Sequence, residues 1–151
     1  MTTAARESAV EIRLPVARDY PRMAELAAQL GYRSSSEEVA RRIAEMQGSP
    51  DYAVFVAEAP GGEVAGWIGV FVYRCPEADA RAEINGVVVD EQKRSLGIGR
   101  RLLERAEEWA KEKGCATIGL RCNVIRDRAH RFYVRFGYEH YKTQKSFRKR
   151  L

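Results

Sequence analysis

Six consecutive residues, Arg94-Ser95-Leu96-Gly97-Ile98-Gly99, have the types and spacing to hold phosphate. The β-branched run Val87-Val88-Val89 precedes them and an amphipathic helical pattern follows, so the glycines stand at a strand-to-helix junction. The first N–H groups of a helix lack intrahelical partners and lie at the positive end of its dipole, which suits an anion. Glycine serves where backbone must approach a ligand closely or take positive φ. Lys93, Arg94, Arg100 and Arg101 add positive charge around the loop. The pattern R-x-x-G-x-G is neither the G-x-G-x-x-G dinucleotide fingerprint nor the G-x-x-x-x-G-K-[ST] phosphate loop. Taken alone, the hexapeptide reads equally well as a tight turn that starts a helix.

Other chemistry-bearing residue types are sparse. The cysteines are Cys75, Cys115 and Cys122, an odd number without C-x-x-C spacing, so neither a disulfide framework nor a zinc site is expected. Free, buried thiols in a reducing cytoplasm are the expectation. His130 reads as a surface residue or phosphate contact, His140 carries no signal, and no metal site is expected. The opening MTTAARESAV has no apolar core of a signal peptide. No apolar run approaches the ~18 residues of a membrane helix, so no membrane partner is expected.

A chain of 151 residues suggests one domain able to bury its own core. Net charge is +5, which favours an anionic ligand without choosing between a nucleotide cofactor and nucleic acid. The basic residues Arg121, Arg126, Arg128, Arg131, Arg135, Lys142, Lys145, Arg148, Lys149 and Arg150 crowd the C-terminal third. With Tyr141 and Phe147 between them they allow a nucleic-acid footprint. A phosphate-rich cofactor beside a basic edge strand explains the same charges.

These residues need elements to position them. Residues 1–9 read as a flexible N-terminus and residues 10–151 as a single domain. Residues 10–14 suggest a strand, residues 16–30 a helix stopped by Gly31, and Ser34-Ser35-Ser36-Glu37-Glu38 the start of a second helix. Residues 52–58 and 64–74 read as a hairpin, with Trp67, Phe71 and Tyr73 on one face. A loop over 75–80 and a third strand over 81–90 follow. Beyond the glycine loop, Ile98, Leu102, Leu103, Ala106, Trp109 and Ala110 share a helix face that runs to Gly114. Residues 116–122 suggest a strand, residues 127–136 a short helix capped by Gly137, and residues 138–151 one or two strands. The order β-α-α-β-β-β-α-β-α-β implies a mixed α+β fold, a mixed sheet flanked by helices, with the ligand where neighbouring strands part beside Gly99.

Three features in order resemble the GNAT superfamily of N-acetyltransferases. R-x-x-G-x-G follows the strand Val87-Val88-Val89 and is similar to the family's (Q/R)-x-x-G-x-(G/A) signature. Asn123 follows the next strand, and Ala129 to Tyr138 is similar to the family's A-x-x-F-Y-x-x-x-G-F segment. Two departures are Ser95, where the family usually has glycine, and Glu91, where many members have proline. The resemblance implies a mostly antiparallel sheet with acetyl-CoA as cosubstrate at a splayed pair of central strands. It implies transfer of an acetyl group to a primary amine by direct attack in a ternary complex, without a metal.

The resemblance further assigns residues. Val87, Val88 and Val89 would pair with the pantetheine arm and supply the oxyanion's N–H donors. Lys93, Arg94, Ser95, Leu96, Gly97, Ile98, Gly99 and Arg100 would hold the phosphates, and Asn123 would contact the cofactor. A lysine-like amine, with pKa near ~10.4, must lose a proton to attack. Glu83 takes the position of the general base, and Asn85 on the same face would place a water. A solvated strand-end carboxylate, or an ion pair with Arg81, is the structural alternative for Glu83. Tyr133 takes the position of the acid that protonates the departing thiolate, with a core aromatic as its structural alternative. A non-catalytic acyl-CoA-binding module and a basic nucleic-acid-binding domain remain the rival functions. The acceptor, small molecule or peptide, carries no readable motif, although Glu37, Glu38, Glu77 and Asp79 could attract a cationic amine. The assembly is expected to be a monomer or homodimer.

Overall fold

The computed structural model describes residue 2, residues 4 and 5, and residues 9–151; the side chain of Ser95 is also outside the described set. The flexible stretch expected over residues 1–9 therefore falls largely outside the described residues. The chain divides into two compact units, residues 1–121 and residues 122–151.

The first unit is a five-stranded sheet with helices packed on it. Its strands are β1 (Glu11–Arg13), β2 (Tyr52–Glu58), β3 (Val64–Cys75), β4 (Ala78–Val89) and β5 (Ile118–Leu120), in spatial order β1-β2-β3-β4-β5. All neighbours are antiparallel except β4 and β5, which are parallel. The helices are α1 (Tyr20–Gln29), α2 (Ser36–Gln47) and α3 (Ile98–Glu112). The mixed α+β fold expected from the sequence is the one observed.

Local chemistry sets most boundaries. Ser35 and Glu38 form a reciprocal capping box: the Glu38 N–H donates to Ser35 Oγ at 3.1 Å and the Ser35 N–H donates to Glu38 Oε2 at 2.8 Å. Proline enters the first turn of α1, where its missing N–H costs nothing. Arg13 locks β1 in place: its guanidinium grips both oxygens of Asp19 at 2.7 and 3.0 Å and reaches Glu58 at 3.0 Å. The β3–β4 connection departs from expectation. Residues 75–80 are not a loop; Cys75 pairs with Ala78, leaving Pro76 and Glu77 as a two-residue turn. The fixed φ of proline suits the first corner of such a turn.

Alternation along the strands gives the sheet two covered faces. Val54, Val56, Val64 and Val88 pack with Met23 and Leu26 of α1 and Ile43 of α2, and Trp67 Nε1–H donates to the Met23 carbonyl at 3.2 Å. On the other face α3 buries Ile98, Leu102, Leu103, Ala106, Trp109 and Ala110. Full burial of such a Leu or Ile contributes about 1.5–3 kcal/mol, so this stripe is a large share of the unit's stability. Gly66 lets α3 approach: a Cβ there would stand 2.8 Å from the Val88 carbonyl oxygen and 3.1 Å from Ile98 Cγ2.

The second unit holds α4 (Asp127–Arg135), with Phe132 packed edge-on against Tyr133 and Phe136 at 5.4 and 4.9 Å between ring centres. Residues 138–151, expected as one or two strands, take no strand, and residues 139–151 are exposed. Their alternation has the propensity, but a strand exists only where a partner completes its hydrogen bonds.

Gly66→Ala should destabilise the protein by about 1–3 kcal/mol, because backbone rather than a flexible side chain must give way. Urea unfolding checks this; an unchanged midpoint would mean that α3 does not depend on close approach at this glycine.

Candidate active site

The register between β3 and β4 shifts at two places, between Tyr73 and Cys75 near the hairpin and between Gly69 and Val70, and the site is built around the second. Gly69 faces Gly86, but the next residue, Val70, faces Ile84, so Asn85 is an extra residue in β4. A β-bulge of this kind bends its strand and re-aims its side chains. Before the bulge Glu83 stands opposite Phe71; after it Val88 stands opposite Trp67, and both pairs lie on the α1–α2 face. Gly69 stands beside the bulge, and a Cβ there would fall 2.1 Å from Asn85 Oδ1, so a larger residue would displace the Asn85 carboxamide. The sequence reading placed Asn85 beside Glu83 but missed both the bulge and the role of Gly69. An isolated glycine inside a strand pattern was the available signal.

Beyond the bulge β4 and β5 part. They pair only from Ala82 to Ile84, opposite Ile118 to Leu120, whereas β4 continues to Val89. Strand alternation decides which amides face the gap. The Asp90 N–H donates to Ala65, and Val72 donates to Asp51 across the β2–β3 pair. Hydrogen-bonded pairs alternate in antiparallel sheets, so Val88 and Gly86 spend their amides on β3 while those of Val87 and Val89 point toward the β5 side. Of the expected valines, Val88 supplies a buried side chain, and its neighbours supply the outward N–H groups.

The strand then runs into the glycine loop. Glu91–Leu96 form a short 3-10 helix, Gly97 takes φ of 69°, and α3 begins at Ile98. The first intrahelical bond is Arg101 N–H to Gly97 C=O at 3.2 Å, which leaves the Ile98 and Gly99 amides at the helix mouth. Leu96 and Gly97 are half-buried, and Arg94 and Arg100 are exposed beside them. Lys93 lies 3.9 Å from Glu63, and Arg100 lies 3.8 Å from Glu104. Arg101 does not add its charge here as expected, since its guanidinium donates to the Val10 carbonyl and anchors the start of the sheet.

Asp90 fastens the loop to α1. Its side chain is 8% exposed, pairs with Arg22, and accepts the Gln92 N–H at 3.0 Å. Arg22 also donates to the Val64 carbonyl at 3.0 Å, and the Glu91 N–H donates to Gln29 Oε1 at 3.2 Å. The Gln92 amide, reinforced by Arg22 against the cost of burial, holds the Asp90 carboxyl below its ordinary range.

Glu83 is not a solvated strand-end acid. It sits midway along β4 with its side chain 12% exposed, and Arg121 Nη2 lies 3.9 Å from its Oε1. Arg81, the partner weighed from sequence, instead places its guanidinium 4.3 Å from the centre of the Tyr73 ring. Phe71 stacks on Tyr52 at 5.5 Å, giving this face an aromatic floor. The sequence places Phe71 on one face with Trp67 and Tyr73 and Arg121 among the basic residues of the C-terminal third, but gives neither a link to Glu83.

In the second unit, Asn123 Oδ1 accepts the Ile125 N–H at 3.2 Å, and the His130 ring donates Nε2–H to the Asn123 carbonyl at 2.8 Å. His130 thus braces the turn that carries Asn123. Burial pushes the Tyr133 phenol above its ordinary value, Cys122 adds to the rise, and Arg126 opposes it. Among the described residues no cluster of His, Cys, Asp or Glu could hold a metal, and no helix is long and apolar enough to cross a membrane. Cys75, Cys115 and Cys122 are free thiols. A groove of about 410 Å³ between β1 and α3, lined by Val10, Ile12, Arg101, Glu104, Arg105 and Glu108 among others, includes none of the expected site residues.

A parted parallel strand pair leading into a glycine loop at a helix mouth is a sheet-edge site for an extended, phosphate-bearing ligand. The sequence model of the acetyltransferase (GNAT) family matches residues 16–138. The chain belongs to this family. An aminoalkylphosphonate N-acetyltransferase from Salmonella typhimurium is 38% identical over 88 residues, 56% of this chain and 57% of that protein, so the match spans little more than half of that relative. An aminoglycoside N(6')-acetyltransferase from Serratia marcescens is 25% identical over 122 residues, 78% of this chain and 83% of that protein. Among solved structures, glucosamine-6-phosphate N-acetyltransferase from Arabidopsis thaliana superposes with a TM-score of 0.79 at 26% identity, covering 92% of this chain and 97% of that one.

The Asp90 link gives this GNAT chain a defined acid sensitivity. A carboxyl with a depressed folded pKa stabilises fully above its unfolded value and loses that contribution as pH falls through the folded value. Asp90→Asn should therefore cost about 1–3 kcal/mol at neutral pH. The gap to wild type should narrow below the ordinary carboxyl value of 3.8. Denaturant unfolding over a pH series measures it, and a gap that stays constant into acid would rule the carboxylate out as the source.

Proposed function

We propose that this chain moves an acetyl group from acetyl-CoA to the primary amine of an acceptor by direct attack in a ternary complex. The observation that carries the proposal is the row of amides at Val87 and Val89, beyond the last β5 pairing, leading to the Gly97 turn at the mouth of α3. Membership of the GNAT family agrees with it. The family match crosses the boundary between the two compact units, which supports one acetyltransferase domain over residues 10–151. The free thiols fit a cytoplasmic protein, acting as a monomer or homodimer.

Bound acetyl-CoA supplies a thioester, whose carbonyl carbon is the electrophile. The Val87 and Val89 N–H groups line the pantetheine arm and meet the developing oxyanion. The Lys93–Arg100 segment, with the Ile98 and Gly99 amides at the helix mouth, takes the pyrophosphate, and Asn123 adds a polar contact. Glu83 accepts the proton the amine sheds as its nitrogen bonds to the carbonyl carbon, directly or through a water placed by Asn85. Tyr133 gives its phenolic proton to the sulfur as the carbon–sulfur bond breaks. A phenol is protonated at neutral pH in any case, and burial raises the Tyr133 value further. The relatives act on aminoalkylphosphonates and aminoglycosides, and both are small amines, so the acceptor proposed for this chain is a small molecule.

Gly97→Asp places a carboxylate where backbone meets phosphate and should weaken CoA binding at least about tenfold, or ~1.4 kcal/mol, with the fold intact. Titration calorimetry reads this, and unchanged affinity in a folded variant would remove the loop from the cofactor site. Two further variants test the proton path. Glu83→Gln should lower kcat about 10²-fold at neutral pH, with partial recovery as rising pH deprotonates the amine. Tyr133→Phe should lower kcat by a similar factor with little change in melting temperature or CoA affinity. A pH–rate profile identical to wild type would leave Glu83 structural, and lost stability with unaltered kcat would do the same for Tyr133.

A further inference from the structure

We propose that the acceptor is a small amine carrying its own anionic group, with Arg121 and Arg81 as the guanidinium partners of that anion. This rests on the acetyl-transfer reading and narrows its acceptor. Glu83 has little exposure, yet its ion partner Arg121 has a side chain 71% exposed and approaches only to 3.9 Å. A guanidinium has five N–H donors, and a contact of that length leaves most of its donor fork available for another ligand. Arg81 lies two residues before Glu83 on the same face of β4, about 7 Å along the strand. Tyr73 holds it flat at 4.3 Å, and its Nη1 reaches Cys75 Sγ at 4.0 Å. Phe71 faces Glu83 across the β3–β4 pair and Tyr52 stacks on Phe71, so the surface on the β3 side of Glu83, where Arg81 lies over Tyr73, is aromatic. Asp79, at the hairpin end of the same strand, is exposed.

The charges select the acceptor by exchange. An amine that docks on Glu83 must take the carboxylate from Arg121. A polycationic acceptor would leave the released guanidinium facing further ammonium groups, a like-charge contact that disfavours binding. A zwitterion turns one ion pair into two: its nitrogen takes Glu83, and its anion takes Arg121. A phosphonate, phosphate, sulfonate or carboxylate matches the planar fork of arginine in two parallel hydrogen bonds.

The test compares amine-dependent release of free thiol from acetyl-CoA for aminoethylphosphonate, taurine, β-alanine, propylamine and an aminoglycoside. In wild type, kcat/KM for the best anionic amine should exceed that for propylamine about tenfold or more, the effect of one hydrogen bond to a charged group. The aminoglycoside should fall below both, and the order among the three anionic amines identifies the preferred anion. Arg121→Gln should lower the ratio of anionic-amine to propylamine kcat/KM about tenfold, and Arg121→Glu should invert it. Arg81→Gln, away from the Glu83 contact, should lower the same ratio. If propylamine or the aminoglycoside matches the anionic amines in wild type, or if none of the three variants changes the ratio, the anionic acceptor is wrong while acetyl transfer stands. If no amine releases thiol although calorimetry shows CoA bound, the acetyl-transfer reading falls and this inference with it.

Discussion

One extra residue in β4 governs the working face of the sheet. Without a bulge at Asn85, strict alternation over the five-residue step would put Glu83 and Val88 on opposite sides of the sheet. The bulge puts both on the α1–α2 face, so the buried valine anchors the strand to the core while the carboxylate lies further along it. The same irregularity falls where pairing with β5 ends, so the Val87 and Val89 amides face a gap rather than a partner. Gly69 leaves the space that the Asn85 carboxamide occupies, since a Cβ there would displace it.

Electrostatics hold two parts of that strand in different ways. At the loop end, Asp90 is buried, hydrogen-bonded to the Gln92 amide and paired with Arg22, which also binds the Val64 carbonyl. The turn into α3 is therefore tied to α1 by groups satisfied on several sides, the condition under which a buried charge is tolerated. Midway along the strand, Glu83 has a long contact to an exposed arginine. A pair of that kind adds little stability and is easily exchanged.

The elements legible in the sequence were those whose cause is local. The Ser35–Glu38 capping box, the apolar stripe of α3 and the hairpin strands follow from hydrogen bonds or spacings within a few residues. The glycine loop was legible for the same reason, because Gly97 needs positive φ whatever surrounds it. Residues 138–151 show the limit: their alternation suits a strand, yet alternation supplies no partner, and no strand is formed there. The 75–80 segment erred in the opposite sense, since pairing of Cys75 with Ala78 turned a supposed loop into strand ends.

By itself, then, the sequence determined the family resemblance, the phosphate-type loop, and Glu83 and Tyr133 as the acid–base candidates. Each is carried by residue type and short spacing. Tertiary structure decided which groups meet. Arg81 is two residues from Glu83, yet it turns to Tyr73, and Arg121 comes from another strand to approach the carboxylate. Register decided that Val87 and Val89 rather than Val88 direct their amides toward the gap. These outcomes depend on which strand lies beside which and in what phase, a choice made by burial of whole faces. No window of a few residues contains it, because the energies compared belong to segments tens of residues apart.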